Sequence, residues 1–433
     1  MKQKTTTAKI FLAIFSFVFI AAGCGGGGAG QVANGPVVLT FWKPFEDTER
    51  LQPLIDAYQA KHPNVTISFS KKDIKNYEGD LIDKLASGSG PDIFSINNTW
   101  LPQYMDKVVP VAEKSWLIKD YKSAFVDVVV NDFTQGNKIY GTAMSVDSLA
   151  LFYNKDLMGT VGIATPPKTW AELATDVQKI KRADSKGYFN RSGVAIGTSA
   201  NVNRSVDVLY LFMLQQGVVP FTSEGQPSFA NQLEKDGNYT IPGVSGLTFY
   251  TSFANPANTN YNWNTRSDYS IDAFANGRAA FLYSYAFNRQ TILQKSPNLN
   301  FDVAPVPQPN LDNPSINFAN YWGEVVSKQS KNQAWAWDFL KFISSKESLD
   351  KYYAQAKVPS SRKDLIELQI QDPEIGVFAH ANLTAKSFFK PHQVKIDDIF
   401  GKAIDNVILN GFTPTEAIEQ AEQQAGEVSR EGQ

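Results

Sequence analysis

From residue 37 onward, apolar positions alternate between two periods. Val37 to Trp42 is a β-branched and aromatic run, the pattern of a buried strand. Leu51, Leu54, Ile55 and Tyr58 then recur at helical spacing and mark one face of a helix, which His62-Pro63-Asn64 ends. Val65, Ile67 and Phe69 alternate with Thr66 and Ser68, so that strand has one buried face. Tyr77, Leu81 and Leu85 give a second helical face, closed by the turn at 88–91, and Asp92 to Ile96 is a third strand. Strand, helix, strand, helix, strand with short turns predicts a parallel, doubly wound α/β sheet.

Farther along, four places have capping-box spacing: Thr169 with Glu172, Ser330 with Gln333, Ser344 with Glu347, and Thr413 with Glu416. Pro414 suits a first helical position, where a missing N–H costs nothing. Ile271 and Phe274 belong to a helix stopping at Asn276-Gly277, and Ala279 to Tyr283 leaves it as a strand. The Gly-, Asn- and Pro-rich stretches 219–245 and 255–268 read as surface connections, and no internal repeat is present.

The N-terminus bears on compartment. Lys2, Lys4 and Lys9 precede a nearly unbroken apolar run from Ile10 to Ala22, shorter than the roughly 20 residues a spanning helix needs. This predicts a signal peptide over 1–23. Ala21-Ala22-Gly23-Cys24 resembles a lipobox, with Ala21 where Leu is commonest, and Cys24 is the chain's only cysteine. Lipidation of Cys24 would anchor the protein to the cell membrane from outside the cytoplasm, through a Gly-rich tether over 24–36. The G-x-G-x-x-G match at Gly23, Gly25 and Gly28 has no strand before it, and cleavage would cut through it.

Composition narrows the rest. About four hundred residues beyond the cleavage site suffice for two domains. With 43% hydrophobic residues, 19% charged residues and a net charge of −2, the body reads as an ordinary globular protein without a nucleic-acid surface. Aromatics reach 12%; most suit a core, and a minority would line a ligand cleft.

A set of dispersed motifs carries a family resemblance. Leu39-Thr40-Phe41-Trp42 opens the series, followed by Ala86 to Ile93 (ASGSGPDI), Tyr140-Gly141, Leu149 to Leu157 (LALFYNKDL) and Pro166 to Trp170 (PPKTW). Phe274 to Ala280 (FANGRAA) comes next, with Phe281 where Met is usual, then Tyr321 to Lys328 (YWGEVVSK) and Ala336 to Ile343. In order and spacing these resemble the family 1 extracellular solute-binding proteins, the group that includes maltose-binding protein. The resemblance implies two doubly wound α/β lobes joined by hinge crossings near 141–147, 318–326 and 356–362. It places 37–145 plus 325–356 in the first lobe and 146–324 plus 357–433 in the second. It further implies a sugar or oligosaccharide held between the lobes and delivered to the permease subunits of an ABC importer. A monomer without cofactor or metal is expected.

Sugar recognition needs carboxylates or amides for the hydroxyls and flat rings for the weakly apolar faces. Loops after first-lobe strands offer Trp42, Glu46, Asn97, Asn98 and Trp100; the second lobe offers Tyr285 and Phe287; the return crossing offers Tyr321 and Trp322. Asp147 matches a ligand-contacting acid of the family by position. Trp42 also suits a core, and Asn97 and Asn98 suit turn residues bonded to their own backbone. Arg289 and Arg362 fit surface ion pairs better than an acidic ligand.

Two other classes remain: a lipid-anchored glycosidase, and a glycan-capture lipoprotein without a transporter. A glycosidase needs two carboxylates facing one bond, and abundant Asp and Glu decide nothing by themselves. No nucleophile elbow or phosphate loop occurs, and the three histidines, His62, His380 and His392, lack metal-ligand spacing. The protein is therefore expected to bind without catalysing.

Overall fold

The computed structural model describes residues 35–222, 225–235 and 237–431, so Cys24 and the segment around it lie outside the described residues. Two five-stranded sheets organise this body. The first runs in the order Val65–Lys72, Val37–Pro44, Ile93–Asn97, Trp322–Val326, Gly141–Thr142. Its first three strands are parallel, as the alternating helices require. Trp322–Val326 lies antiparallel to Ile93–Asn97, with Trp322 opposite Asn97 and Val326 opposite Ile93. That direction follows from where the chain comes back: it enters at the end where the parallel strands finish.

The second sheet is mixed. Its order is Phe301–Ala304, Ala150–Asn154, Ala279–Ser284, Phe189–Val194, Arg182–Ala183. Only Ala279–Ser284 and Phe189–Val194 are parallel neighbours. The α/β class holds, while neither sheet is parallel throughout.

Each sheet has its own hydrophobic core. In the first, Leu51, Leu54, Ile55 and Tyr58 are all buried, as the helical spacing predicts. The Tyr58 ring packs against Phe339 and Phe342 at 5.0 and 5.3 Å. Leu365 and Ile366 also pack into this core. In the second, strand Ala279–Ser284 is buried along its whole length. Helix Ser205–Gln215 is apolar nearly all round because helices Pro242–Ser252 and Gln393–Leu409 cover it.

Side-chain amides fasten the crossings between lobes. Ser145 bridges Ser360, and Ser148 bridges Ala319. The Asn382 amide donates to the carbonyls of Val146 and Ser360 at 2.8 and 3.0 Å and accepts from the Ser148 hydroxyl at 2.6 Å. Asn317 donates to the Leu149 carbonyl at 2.7 Å. Gly141 sits in a sheet strand, where a Cβ would collide with the Phe133 ring, so its smallness admits that ring rather than loosening the backbone.

Local signals fare unevenly. Thr169 with Glu172 forms a complete capping box, and the Thr413 and Glu416 side chains cap reciprocally. Ser330 does not cap: its hydroxyl donates to Asp92 at 2.5 Å, and helix Gln333–Ile343 starts after Asn332. The cap expected at Ser344 belongs to Ser345, which accepts from the Ser348 N–H, while Ser344 donates to the Leu340 carbonyl. The stretch 219–245 is not loop throughout. It holds a hairpin of Leu233–Lys235 with Asn238–Thr240, and the helix beginning at Pro242. Among the described residues, no helix is long and apolar enough to cross a membrane.

Candidate ligand cleft

The edge where the first sheet's parallel strands end is lined with rings. Trp322 lies at its centre, edge-on to Phe45 and Tyr77 at 5.8 Å each and to Trp100 at 5.1 Å. Trp100 stacks on Tyr104 at 5.8 Å with planes 9° apart. Phe45 is 60% exposed and has a φ of 61°. A bulky residue in left-handed backbone, with its ring in water, is unusual on both counts.

Polar groups behind this edge are already engaged. Asn97 donates to Asn320 Oδ1 and to the Tyr321 carbonyl, and accepts from the Thr99 N–H and hydroxyl at 3.1 and 2.9 Å. Asn98 donates to Asp132 at 3.0 Å, as does the Tyr321 hydroxyl at 2.6 Å. Glu46 is buried and accepts from the Tyr352 hydroxyl at 2.5 Å. Trp42 stands apart from the row, with the Lys72 ammonium 3.7 Å above its ring. Beneath the edge, Lys43 and Glu324 form a buried ion pair. Burial opposes the Lys43 charge, yet the Glu324 and Glu46 carboxylates outweigh it and raise its pKa. Burial raises that of Glu324, with Lys43 opposing.

Across the hinge the facing edge is polar. Asp147 accepts from the backbone N–H groups of Ala286 and Phe287 at 2.9 and 3.3 Å, at the start of helix Phe287–Lys295. A helix N-terminus favours the ionised carboxyl. Burial wins nonetheless, pushing Asp147 up to about 7 against those amides and against Arg204. Asp207 is buried and accepts from the Tyr285 hydroxyl at 2.9 Å, Asn320 at 3.3 Å and Arg204 Nε at 3.2 Å. The Arg204 side chain is 38% exposed, with its guanidinium 5.9 Å from the centre of the Tyr285 ring, and Phe287 is 59% exposed, its ring stacked on Tyr285 at 5.9 Å.

Two sets of side-chain bonds join the edges. Asn97 to Asn320 to Asp207 runs from the first lobe through the return crossing to the second, with links of 3.1 and 3.3 Å. On the segment after Ala385–Lys386, Ser387 donates to Asp132 at 2.5 Å, and Gln393 accepts from the Trp100 indole at 2.9 Å. Burial pushes Asp132 up to about 6 against its three donors Ser387, Tyr321 and Asn98.

The candidate residues thus divide. Asn97, Asn98, Trp100, Tyr321 and Trp322 gather on one edge, and Asp147, Tyr285 and Phe287 on the other. Trp42 and Glu46 are directed elsewhere. Sequence reasoning missed Phe45, Asp132, Arg204, Asp207, Asn320 and Gln393. Only Asp207 left a signal, as the one acid in the otherwise apolar run from Val206 to Leu214. Arg289 and Arg362 make the expected ion pairs, with Glu374 and Asp364.

The model of the bacterial extracellular solute-binding protein family matches residues 43–349. The chain belongs to that family. Among its relatives, a putative binding protein of Brucella abortus is 24% identical over 84% of this chain and 86% of its own length. The galactooligosaccharide-binding protein of Bacillus subtilis is 21% identical over 89% of this chain and 88% of its own. In fold, this solute-binding protein is similar to the cyclic α-maltosyl-1,6-maltose binding protein from Arthrobacter globiformis. That match has a TM-score of 0.77 at 18% identity and covers 92% of this chain and 100% of the other. The relatives are named as binding proteins, not enzymes.

Proposed function

We propose that the protein captures a neutral sugar or oligosaccharide between its two lobes and delivers it to an ABC importer. The observation that carries this is the pairing of edges: Phe45 and Trp322 offer rings on one side, while Asp147, Arg204 and Phe287 offer polar groups and a ring on the other. Rings bury the apolar faces of a sugar, and charged groups bond its hydroxyls. The ligand named for the Bacillus relative and that named for the Arthrobacter structure, both oligosaccharides, support the reading. One lobe is built on each sheet, and strand Trp322–Val326 with Leu365 and Ile366 goes to the first, a departure from bounds of 37–145 with 325–356 and 146–324 with 357–433. A ligand touching both makes more contacts when they close, and that difference in affinity drives closure.

The anchor belongs to the same reading: Cys24 carries lipid and holds the protein outside the cytoplasm. Metabolic labelling with a palmitate analogue marks the wild type and not Cys24→Ala; an unlabelled wild type refutes the anchor. Ligand binding is tested by a thermal-shift panel of mono- and oligosaccharides. Ligand at a hundred times its Kd adds about 2.7 kcal/mol to apparent stability. Chromatography of the best ligand after incubation shows it unchanged, whereas turnover beyond stoichiometry would make the protein a glycosidase. Co-purification with permease subunits separates import from glycan capture alone.

A further inference from the structure

The row of rings along the first lobe continues past Trp100 to Tyr104, and Tyr104 lines a pocket of about 370 Å³. That volume falls within the roughly 300–1,000 Å³ of small-molecule sites. Its walls come from both lobes: Glu78, Ile82 and Gln103 from the first, Phe389, Pro391 and His392 from the second. Trp100 links this pocket to the rings around Trp322, since it contacts both Tyr104 and Trp322, and its indole donates to Gln393.

Two features mark the pocket as incomplete. The Tyr104 hydroxyl is buried and has no hydrogen-bond partner among the described residues, whereas buried polar groups are nearly always paired. Glu78 is half-buried without an ion-pair partner among the described residues; burial raises its pKa and His392 opposes. Tyr104 is raised by burial and then by the Glu78 charge, so hydroxyl and carboxylate lie close enough to interact. The one ammonium in the lining, Lys107, is already paired with Asp106 at 2.8 Å. With the Glu78 carboxylate in its wall, the lining suits a neutral polyhydroxyl group: Phe389 for a ring face, Glu78 and Tyr104 for hydroxyls.

We propose that this pocket is an outer compartment of the cleft and takes the far unit of an oligosaccharide whose near units lie against Trp322 and Phe287. The inference rests on the sugar-binding reading above and extends it to ligand length. A chain running through both compartments replaces the Trp100–Gln393 bond with bonds to its own hydroxyls.

Calorimetric titration of the full chain with malto-, manno- and galacto-oligosaccharides of increasing length tests it. In the series that binds, wild-type affinity climbs about tenfold from the shortest bound member to longer ones, the order of one aromatic contact with its hydrogen bonds. Phe389→Ala and Glu78→Gln abolish that climb while leaving affinity for the shortest member within about twofold. Thermal melts identify any variant that fails to fold, and Tyr104→Phe, which keeps the ring, reports on the hydroxyl alone. A climb that persists in both folded variants, or a wild type indifferent to length, overturns the outer compartment and leaves sugar binding standing. If no member of any series binds, the sugar-binding reading itself falls.

Discussion

The two edges of the cleft solve different problems. On the first lobe, rings stand at the front and the polar groups behind them are spent on one another: Asn97 on Thr99 and Asn320, Glu46 on Tyr352, Lys43 on Glu324. On the second, charged groups come to the front, Asp147 at a helix start and Arg204 reaching out from Asp207. One edge is an apolar platform; the other is a polar surface. A ligand with hydroxyls around a ring and apolar faces needs both, so the edges are expected to respond differently to substitution.

The largest effect should come from beneath the platform. Lys43→Met leaves Glu324 buried without its partner, and breaking a buried pair in this way costs about 3–5 kcal/mol. Urea unfolding should show a lowered midpoint, while the fraction that stays folded binds sugar with little change. Trp322→Ala should weaken sugar binding by about 1–3 kcal/mol, since it removes the ring to which Phe45, Tyr77 and Trp100 all pack. On the other edge, Phe287→Ala should cost about 1 kcal/mol, because its ring is exposed and its stacking partner is Tyr285. Titration calorimetry orders the two; equal losses would erase the distinction between platform and polar surface.

The last effect is one of pH, and Asp147 carries it on the polar edge. An unfolded Asp titrates near 4, whereas burial holds Asp147 up at about 7 and Asp132 at about 6. Between those values the folded protein keeps protons that the unfolded chain has released. The contribution of these groups to stability is therefore full below about 4 and is lost as pH rises through 6 to 7. Asp147→Asn should flatten the upper part of that slope in thermal melts. Sugar hydroxyls that donate to ionised Asp147 should also make wild-type affinity rise with pH through about 7, a trend the Asn variant lacks. Should the variant keep that trend, another group is responsible.

Elements with strong periodicity were legible because burial imposes it: Leu51, Leu54, Ile55 and Tyr58 face one core whatever else the chain does. Caps were half legible, since Ser330 spends its hydroxyl on Asp92, a partner 238 positions away that spacing cannot reveal. The site was limited in the same way. A ring after a strand pointed to Trp100 and the return crossing to Trp322, but nothing local to Glu46 tells that Tyr352, 306 positions on, occupies its carboxylate. Phe45 was missed because its backbone, not its residue type, sets it apart. Gln393 matters through the Trp100 indole, and only the folded chain brings them together.

Hydrogen exchange with and without a saturating oligosaccharide tests the central claim most directly. Ligand held between the lobes should slow exchange on both edges together, at the backbone amides of 97–100 and 321–323 on one side and of 284–288 on the other. Protection confined to one edge, or appearing away from both while the sugar is bound, would contradict capture between the lobes.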